Sequence, residues 1–247
     1  MKIATWNVNG IRARAAQLCA WLLRDQPDVV CLQELKAEAA QIPAECKLAN
    51  YHALWHTRKG YSGVSLHIRR DLFAVDPVFS HPSFDMESRM VQAEHGDLVI
   101  ASVYVPNGGK DYPAKLAFVK NLIDWAARLT ADGRQLILCG DMNIARTEMD
   151  VHPKERKPNA VGQRPEERAL FETLLGTQLM DLGRQFDPDN PNLFTWWAPW
   201  RNLRARNIGW RLDYVLASPA IGERATSCVV QADVGTSDHA PVMMTTS

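Results

Sequence analysis

An excess of charge of either sign is missing: 28 Lys and Arg balance 28 Asp and Glu, for a formal net charge of zero in 247 residues. That excludes a chain that coats nucleic acid indiscriminately and leaves room for a local basic face. Paired cysteine motifs are missing too. The five cysteines, Cys19, Cys31, Cys46, Cys139 and Cys228, are odd in number and show no CxxC spacing. A disulfide framework and a thiolate zinc site are therefore not expected. Several of these cysteines lie in apolar stretches, where a free thiol behaves as a small hydrophobe, and a reducing cytoplasmic setting fits. No apolar run approaches the roughly 18 residues that signal a membrane span. No secretory leader is visible, because the first residues run straight into a strand pattern. Tracts of low complexity, short-period repeats and Gly/Ser linkers are absent as well, so one domain over 1–247 is expected.

Hydrophobic residues make up 46% and charged residues 23% of the chain, ordinary values for a globular protein with a sizeable core. Strands are expected over 1–8, 28–32, 51–55, 63–68, 90–94, 98–105, 135–139, 194–197, 212–217, 226–231 and 241–245. Helices are expected over 12–24 and 113–129, both with apolar residues at helical spacing, and over 165–175. His95-Gly96-Asp97 reads as a hairpin turn. Strands outnumber helices, and hairpins mix with crossovers. This argues for mixed sheets packed together with helices outside. Two irregular stretches, 148–163 and 198–207, are long enough to expect a function in them.

Polar residues follow apolar runs at widely separated places: Asn7 and Asn9, Gln33-Glu34, Gly140-Asp141-Met142-Asn143, Asp213, and Asp238-His239. Strand ends are rigid, and packed sheets can bring them to one rim. Glu34 is the best metal candidate, with Asn7, Asn9 and Asp238 as further oxygen donors. An all-oxygen set favours Mg²⁺, Mn²⁺ or Ca²⁺ over zinc. Taken singly, each of these residues is more often a turn former or cap. Asp141 and Asn143, two apart, point the same way if the chain stays extended. Adjacent Asp238 and His239 cannot easily bond each other, so a different carboxylate, Asp213, is expected to orient His239. The other six histidines are read as ordinary surface or core residues. Tyr104 ends a strand ahead of a Gly-rich loop, where its hydroxyl can serve a phosphate or simply pack.

Arg201, Arg204, Arg206 and Arg211 have no acidic residue among them, and Trp196, Trp197, Trp200 and Trp210 interleave with them. Cations that track phosphates plus aromatics that stack are a recipe for holding a nucleic-acid strand. A core Trp cluster beside a solvated loop is the bland alternative. A second basic stretch, from Lys154 to Asn159 with Arg164 and Arg168, is diluted by Glu155, Glu166 and Glu167.

As an ordered set, Trp6-Asn7-Val8-Asn9-Gly10-Ile11-Arg12-Ala13, Leu32-Gln33-Glu34, Gly60-Tyr61-Ser62-Gly63-Val64, Tyr104-Val105-Pro106-Asn107, Gly140-Asp141-Met142-Asn143-Ile144, Gly209-Trp210-Arg211-Leu212-Asp213-Tyr214 and Ser237-Asp238-His239-Ala240-Pro241 resemble the exonuclease III family of apurinic/apyrimidinic (AP) endonucleases, within the endonuclease/exonuclease/phosphatase superfamily. The resemblance runs from residue 2 to about residue 243. It implies a DNase I-like four-layer α/β sandwich, two packed mixed β-sheets flanked by helices. It implies Mg²⁺, with Mn²⁺ as substitute, held by Glu34 with Asn7 and Asp238, and a second metal position near Asp141, Asn143 and His239. Asp141 would activate water, Asn143 and Tyr104 would hold the phosphate, and Asp213 would orient His239. Trp196, Trp210 and Leu212 match a pocket for a flipped-out abasic sugar; Asn9, Asn107, Lys110 and Asn159 fall at DNA-contacting positions. The implied partner is double-stranded DNA with abasic sites or damaged 3′ ends, met by a monomer away from any membrane. The chain departs from many members in having Asn9 in place of Asp and Leu35 in place of Thr, and in a shorter loop around Arg156. A phosphodiesterase or phosphatase for lipid, nucleotide or inositol phosphates and a non-catalytic damage-binding protein are the alternative readings.

Overall fold

The computed structural model describes residues 1–247 and contains two six-stranded sheets. The first half of the chain supplies β1 (Lys2–Asn7), α1 (Ile11–Asp25), β2 (Val29–Gln33), β3 (Tyr51–His56), β4 (Val64–Arg69), β5 (Val78–Ser80), β6 (Met90–His95) and β7 (Leu98–Tyr104). The second half supplies α2 (Tyr112–Ala131), β8 (Gln135–Asp141), α3 (Pro165–Leu175), β9 (Met180–Asp181), α4 (Leu182–Phe186), β10 (Asp213–Ala217), α5 (Pro219–Gly222), β11 (Ala225–Val230) and β12 (Val242–Thr246). Strand orders are β11-β12-β1-β2-β4-β3 and β5-β6-β7-β8-β10-β9.

Each sheet has one parallel pair at its heart, β1 with β2 and β7 with β8. A parallel pair needs a crossover, and α1 and α2 provide them. Ile11, Ala15, Leu18 and Leu22 line the buried face of α1 and pack with Trp6 and Val30 of the first sheet. The N-terminus of α2 is capped by Asp111, whose side chain accepts from the Ala114 N–H. Its Phe118, Val119 and Leu122 pack with Leu136 and Leu138 of the second sheet and with Phe171 of α3. The sheets meet through β-branched and small residues, among them Ile3, Val29, Cys31, Val91, Ile100, Ile137, Cys139 and Val215. The result is helix, sheet, sheet, helix: the four-layer sandwich expected.

Four elements went unforeseen, β5, β9, α4 and α5, and one expected strand is absent. Strand β5 is a three-residue edge, and α4 and α5 have five and four residues, too few for helical periodicity to register. Residues 194–197 form no strand; Trp196 makes only isolated bridges to Trp210 and His239. That run is apolar because Phe194 and Trp197 are core residues, which periodicity alone cannot distinguish from a strand. The turn at Gly96-Asp97 is a two-residue hairpin, closed by the His95–Leu98 pair.

Candidate active site

Register builds the site. In the second sheet, Tyr104 lies opposite Asp141, and Asp141 opposite Asp213, at the ends of three neighbouring strands. In the first sheet, Asn7 lies opposite Gln33, and Glu34 follows directly with φ of 54°. Two side-chain bonds join these rims: Tyr104 Oη donates to Glu34 Oε1 at 2.5 Å, and Asn7 Nδ2 donates to Asp141 Oδ2 at 2.9 Å. The C-terminal motif is tied in by Ser237, whose hydroxyl donates to the Asn7 carbonyl, and by the Trp6 indole, which donates to the His239 carbonyl.

Asp141 and Asn143 do converge, but not because the chain stays extended. Asn143 has φ of 49°, and the turn folds its own N–H back onto Asp141 Oδ1 at 2.9 Å. His239 Nδ1 donates to Asp213 Oδ2 at 2.8 Å, while Nε2 stands 3.8 Å from Asp141 Oδ2. Asp213 Oδ1 is buried without a partner. Burial pushes the Asp141 carboxyl up, and the Asp213 charge adds to it against the pull of His239, leaving it at about 7. Burial disfavours charge on His239, yet Asp213 and Asp141 outweigh it and raise the imidazole to about 10. At Asp238 burial is outweighed by His239 and by donors from Asn9 and Trp196, so its carboxyl is held low.

A cavity of about 330 Å³ is lined by the polar groups Asn7, Glu34, Tyr104, Asn107, Asp141, Asn143, Asp238 and His239 together with Val161, Trp196, Trp210 and Leu212. Three carboxylates, Glu34, Asp141 and Asp238, face one imidazolium there. Amide oxygens are the other donors at hand, and no thiol lines the cavity. That surplus of hard, negative oxygen fits a divalent cation of the Mg²⁺ or Mn²⁺ type.

Trp196 and Trp210 meet edge to face at 5.6 Å, half-buried beside buried Leu212. Asn107 donates to Asn143 Oδ1 at 3.2 Å. Lys110 and Asn159 are exposed on loops outside the cavity wall. Asn9 also stays out of the cavity: it donates to Asp238 Oδ1 at 2.6 Å and accepts from Lys36 Nζ at 2.6 Å.

The Trp-Arg segment divides in two. Arg201 and Arg206 are exposed. Arg211 is 2% exposed and bonds Asp150 and Asp181. Arg204 lies over the Trp197 ring and donates to the carbonyls of Ala232, Val234 and Ser237. Neither guanidinium is free to grip a nucleic-acid strand, which corrects the expectation for those two. Trp197 is core; Trp200 is 59% exposed.

Sequence reasoning missed two lysines. Lys36 lies 3.4 Å from Glu34 Oε2 while it bonds Asn9. Its position two after Glu34 was the available signal. Lys115 is wholly buried against Glu167 at 2.5 Å and donates to the carbonyls of Asn143 and Asn107. Glu167 in turn accepts from the N–H groups of Gly162 and Arg164. One ion pair thus fastens the loop after β7 and both ends of the long connection between β8 and α3. Gly162 has φ of 90°, and a Cβ there would come within 3.1 Å of both Asn143 O and the Trp210 ring. Nothing in the spacing of Lys115 and Glu167, 52 residues apart on two helices, marks them as partners.

A rim of carboxylates and amides with one Asp-paired imidazolium, set across two packed mixed sheets, is the architecture of a phosphoester hydrolase. Residues 4–239 match the Endonuclease/Exonuclease/phosphatase family, and the chain belongs to it. It is 32% identical to an exodeoxyribonuclease of Bacillus subtilis over 98% of each chain. An AP endonuclease from Archaeoglobus fulgidus superposes with a TM-score of 0.89 at 28% identity, covering 100% of this chain and 99% of that one. A Neisseria 3′ phosphatase bound to product DNA hairpin superposes with a TM-score of 0.88 at 29% identity, again over 100% and 99%.

Proposed function

We propose that this chain is a Mg²⁺-dependent AP endonuclease that cuts the phosphodiester 5′ to an abasic site in duplex DNA, with 3′-5′ exonuclease and 3′-phosphatase side activities. The observation that carries this is the convergence of Glu34, Tyr104, Asp141, Asn143 and the Asp213–His239 pair on one small cavity walled by Trp196, Trp210 and Leu212. Such a wall suits a bare sugar and leaves little room for a base. Flipping also costs least where pairing is already lost.

Asp141 accepts a proton from a water aligned with the P–O3′ bond. The water oxygen bonds to phosphorus, the P–O3′ bond breaks, and O3′ takes up a proton. The products are a 3′-hydroxyl and a 5′-deoxyribose phosphate. His239, held charged by Asp213, donates from Nε2 to a non-bridging phosphate oxygen; Asn143 and Tyr104 add neutral donors where charge develops. Glu34, Asn7 and Asp238 would hold a divalent cation, with Asp141 and Asn143 near a second position. Such a cation supplies positive charge against the phosphate oxygens. Mn²⁺ is the expected substitute. Exposed Asn107, Lys110, Asn159, Arg201 and Arg206 are assigned to the DNA backbone, and Asn9 acts through Asp238 and Lys36.

The test compares rates on a duplex with one abasic analogue, an intact blunt duplex and a nick ending in 3′-phosphate. Cleavage at the abasic analogue is expected to dominate in the wild type and to vanish in Glu34→Gln. Equal cutting of the intact duplex removes the specificity, and full activity in Glu34→Gln removes the metal assignment.

A further inference from the structure

At the open end of the first sheet stands a group of side chains the active site does not use. His56 closes β3 and pairs with Val64, which in turn pairs with Gln33 beside Glu34. It therefore sits on the same rim as the cavity, at the sheet edge. His56 Nε2 meets Asp85 Oδ2 at 2.7 Å. The exposed His81 ring lies flat on the His56 ring, with centroids 4.7 Å apart and planes at 6°. One donor atom from each of His56, His81 and Asp85 lies within 4.8 Å of the others.

Asp85 is set firmly. Its Oδ1 accepts the N–H groups of Arg89 at 2.9 Å and Met90 at 2.8 Å, so Oδ2 faces the imidazoles. Its side chain is only 6% exposed, against 24% for His56. Backbone bonds that orient a carboxylate from behind are a usual support for a metal ligand. Two imidazole nitrogens and one carboxylate oxygen differ in kind from the all-oxygen set at Glu34. Imidazole donors suit zinc, cobalt, nickel or copper, whereas Mg²⁺ prefers oxygen. Coordination requires the exposed His81 to leave its stack so that a ring nitrogen turns toward the point where His56 and Asp85 meet. A divalent ion there replaces the shared proton, and solvent completes the open coordination.

We propose that His56, His81 and Asp85 form a second, chemically distinct cation site, specific for a divalent transition metal of the zinc or cobalt type. Occupancy clamps the end of β3 to the segment from His81 to Arg89. That segment bears on the cavity wall, because Arg89 lies 4.8 Å over the Tyr104 ring and Tyr104 bonds Glu34. It also carries Glu87, which accepts from Tyr61. The site therefore couples a transition metal to the stiffness of one wall of the rim.

The test titrates the tag-free full chain with Co²⁺ in excess Mg²⁺, following visible absorption and the Co²⁺ retained after desalting. One Co²⁺ per chain is expected, with a Tm rise of about 5–10 °C at a hundredfold excess over Kd. His81→Ala, on the surface and harmless to folding, and His56→Gln should each weaken binding by at least about tenfold. Glu34→Gln should bind Co²⁺ as the wild type does. No uptake by the wild type, undiminished affinity in either histidine variant, or loss of uptake in Glu34→Gln overturns the proposal.

Discussion

Asp141 and His239 stand 3.8 Å apart with both groups shifted upward: the carboxyl is at about 7 and the imidazole at about 10. A raised carboxyl accepts a proton only above its own value, and a raised imidazole donates only below its own. Turnover on abasic duplex should therefore rise as pH passes about 7 and fall as it passes about 10. A bound cation draws the lower limb further down, because positive charge favours the carboxylate. Asp213→Asn removes the charge that holds the proton on His239 and should move the upper limb toward lower pH. A pH–rate profile of both proteins, with kcat and kcat/KM taken separately, checks this; an unmoved upper limb in Asp213→Asn defeats the assignment of His239. Adjacency excluded Asp238 as the partner of His239, since neighbours in an extended chain face apart, and the expected alternative, Asp213, is the carboxylate that meets it. The participation of Lys36 and Lys115 was not, because a lysine acquires meaning only from the groups that surround it.

Between elements, the buried Lys115–Glu167 pair joins α2 to α3 and fastens the loops after β7 and β8. Lys115→Met leaves Glu167 buried and uncompensated, a loss of about 3–5 kcal/mol in denaturant unfolding. Adding Glu167→Gln should return much of that stability. It should not return kcat, because the carbonyls of Asn143 and Asn107 still lack their shared donor; full kinetic recovery in the double variant shows the pair to be structural only. The segment 198–207 makes a separate prediction. Arg201→Ala and Arg206→Ala should each lower the salt dependence of duplex binding by a slope of about 0.9 per lost phosphate contact. Measured the same way, an Arg204 variant should lose stability and leave the slope alone. Periodicity placed the three long helices and most strands well. It failed for α4, α5, β5 and β9, which are too short to show a period, and at 194–197, where apolar residues serve a core plug instead of a sheet.

For the molecule as a whole, folding and the proposed cation binding are expected to be linked, because the donors come from the ends of three strands of two sheets and the C-terminal motif. An unfolded chain offers no such set. Mg²⁺ at a hundred times its Kd should stabilise the wild type by about 2.7 kcal/mol. A thermal melt with Mg²⁺ and then with chelator should show the shift; Glu34→Gln should show little of it. An equal shift in Glu34→Gln places the stabilising cation elsewhere. The neutral net charge is unevenly distributed over the fold. Carboxylates line the cavity, whereas Lys110, Arg201 and Arg206 are exposed cations on loops.

By itself the sequence determined the strand and helix alternation, the polar residues at the strand ends and their likeness to a family of phosphoester-cleaving enzymes, because those depend on local pattern and order along the chain. Only the tertiary structure decided which cations are free and which are consumed internally, that Asn143 reaches Asp141 through a left-handed turn, and that His56, His81 and Asp85 meet. Each of these depends on distances between segments far apart in the chain, and pattern along a chain carries no such distances.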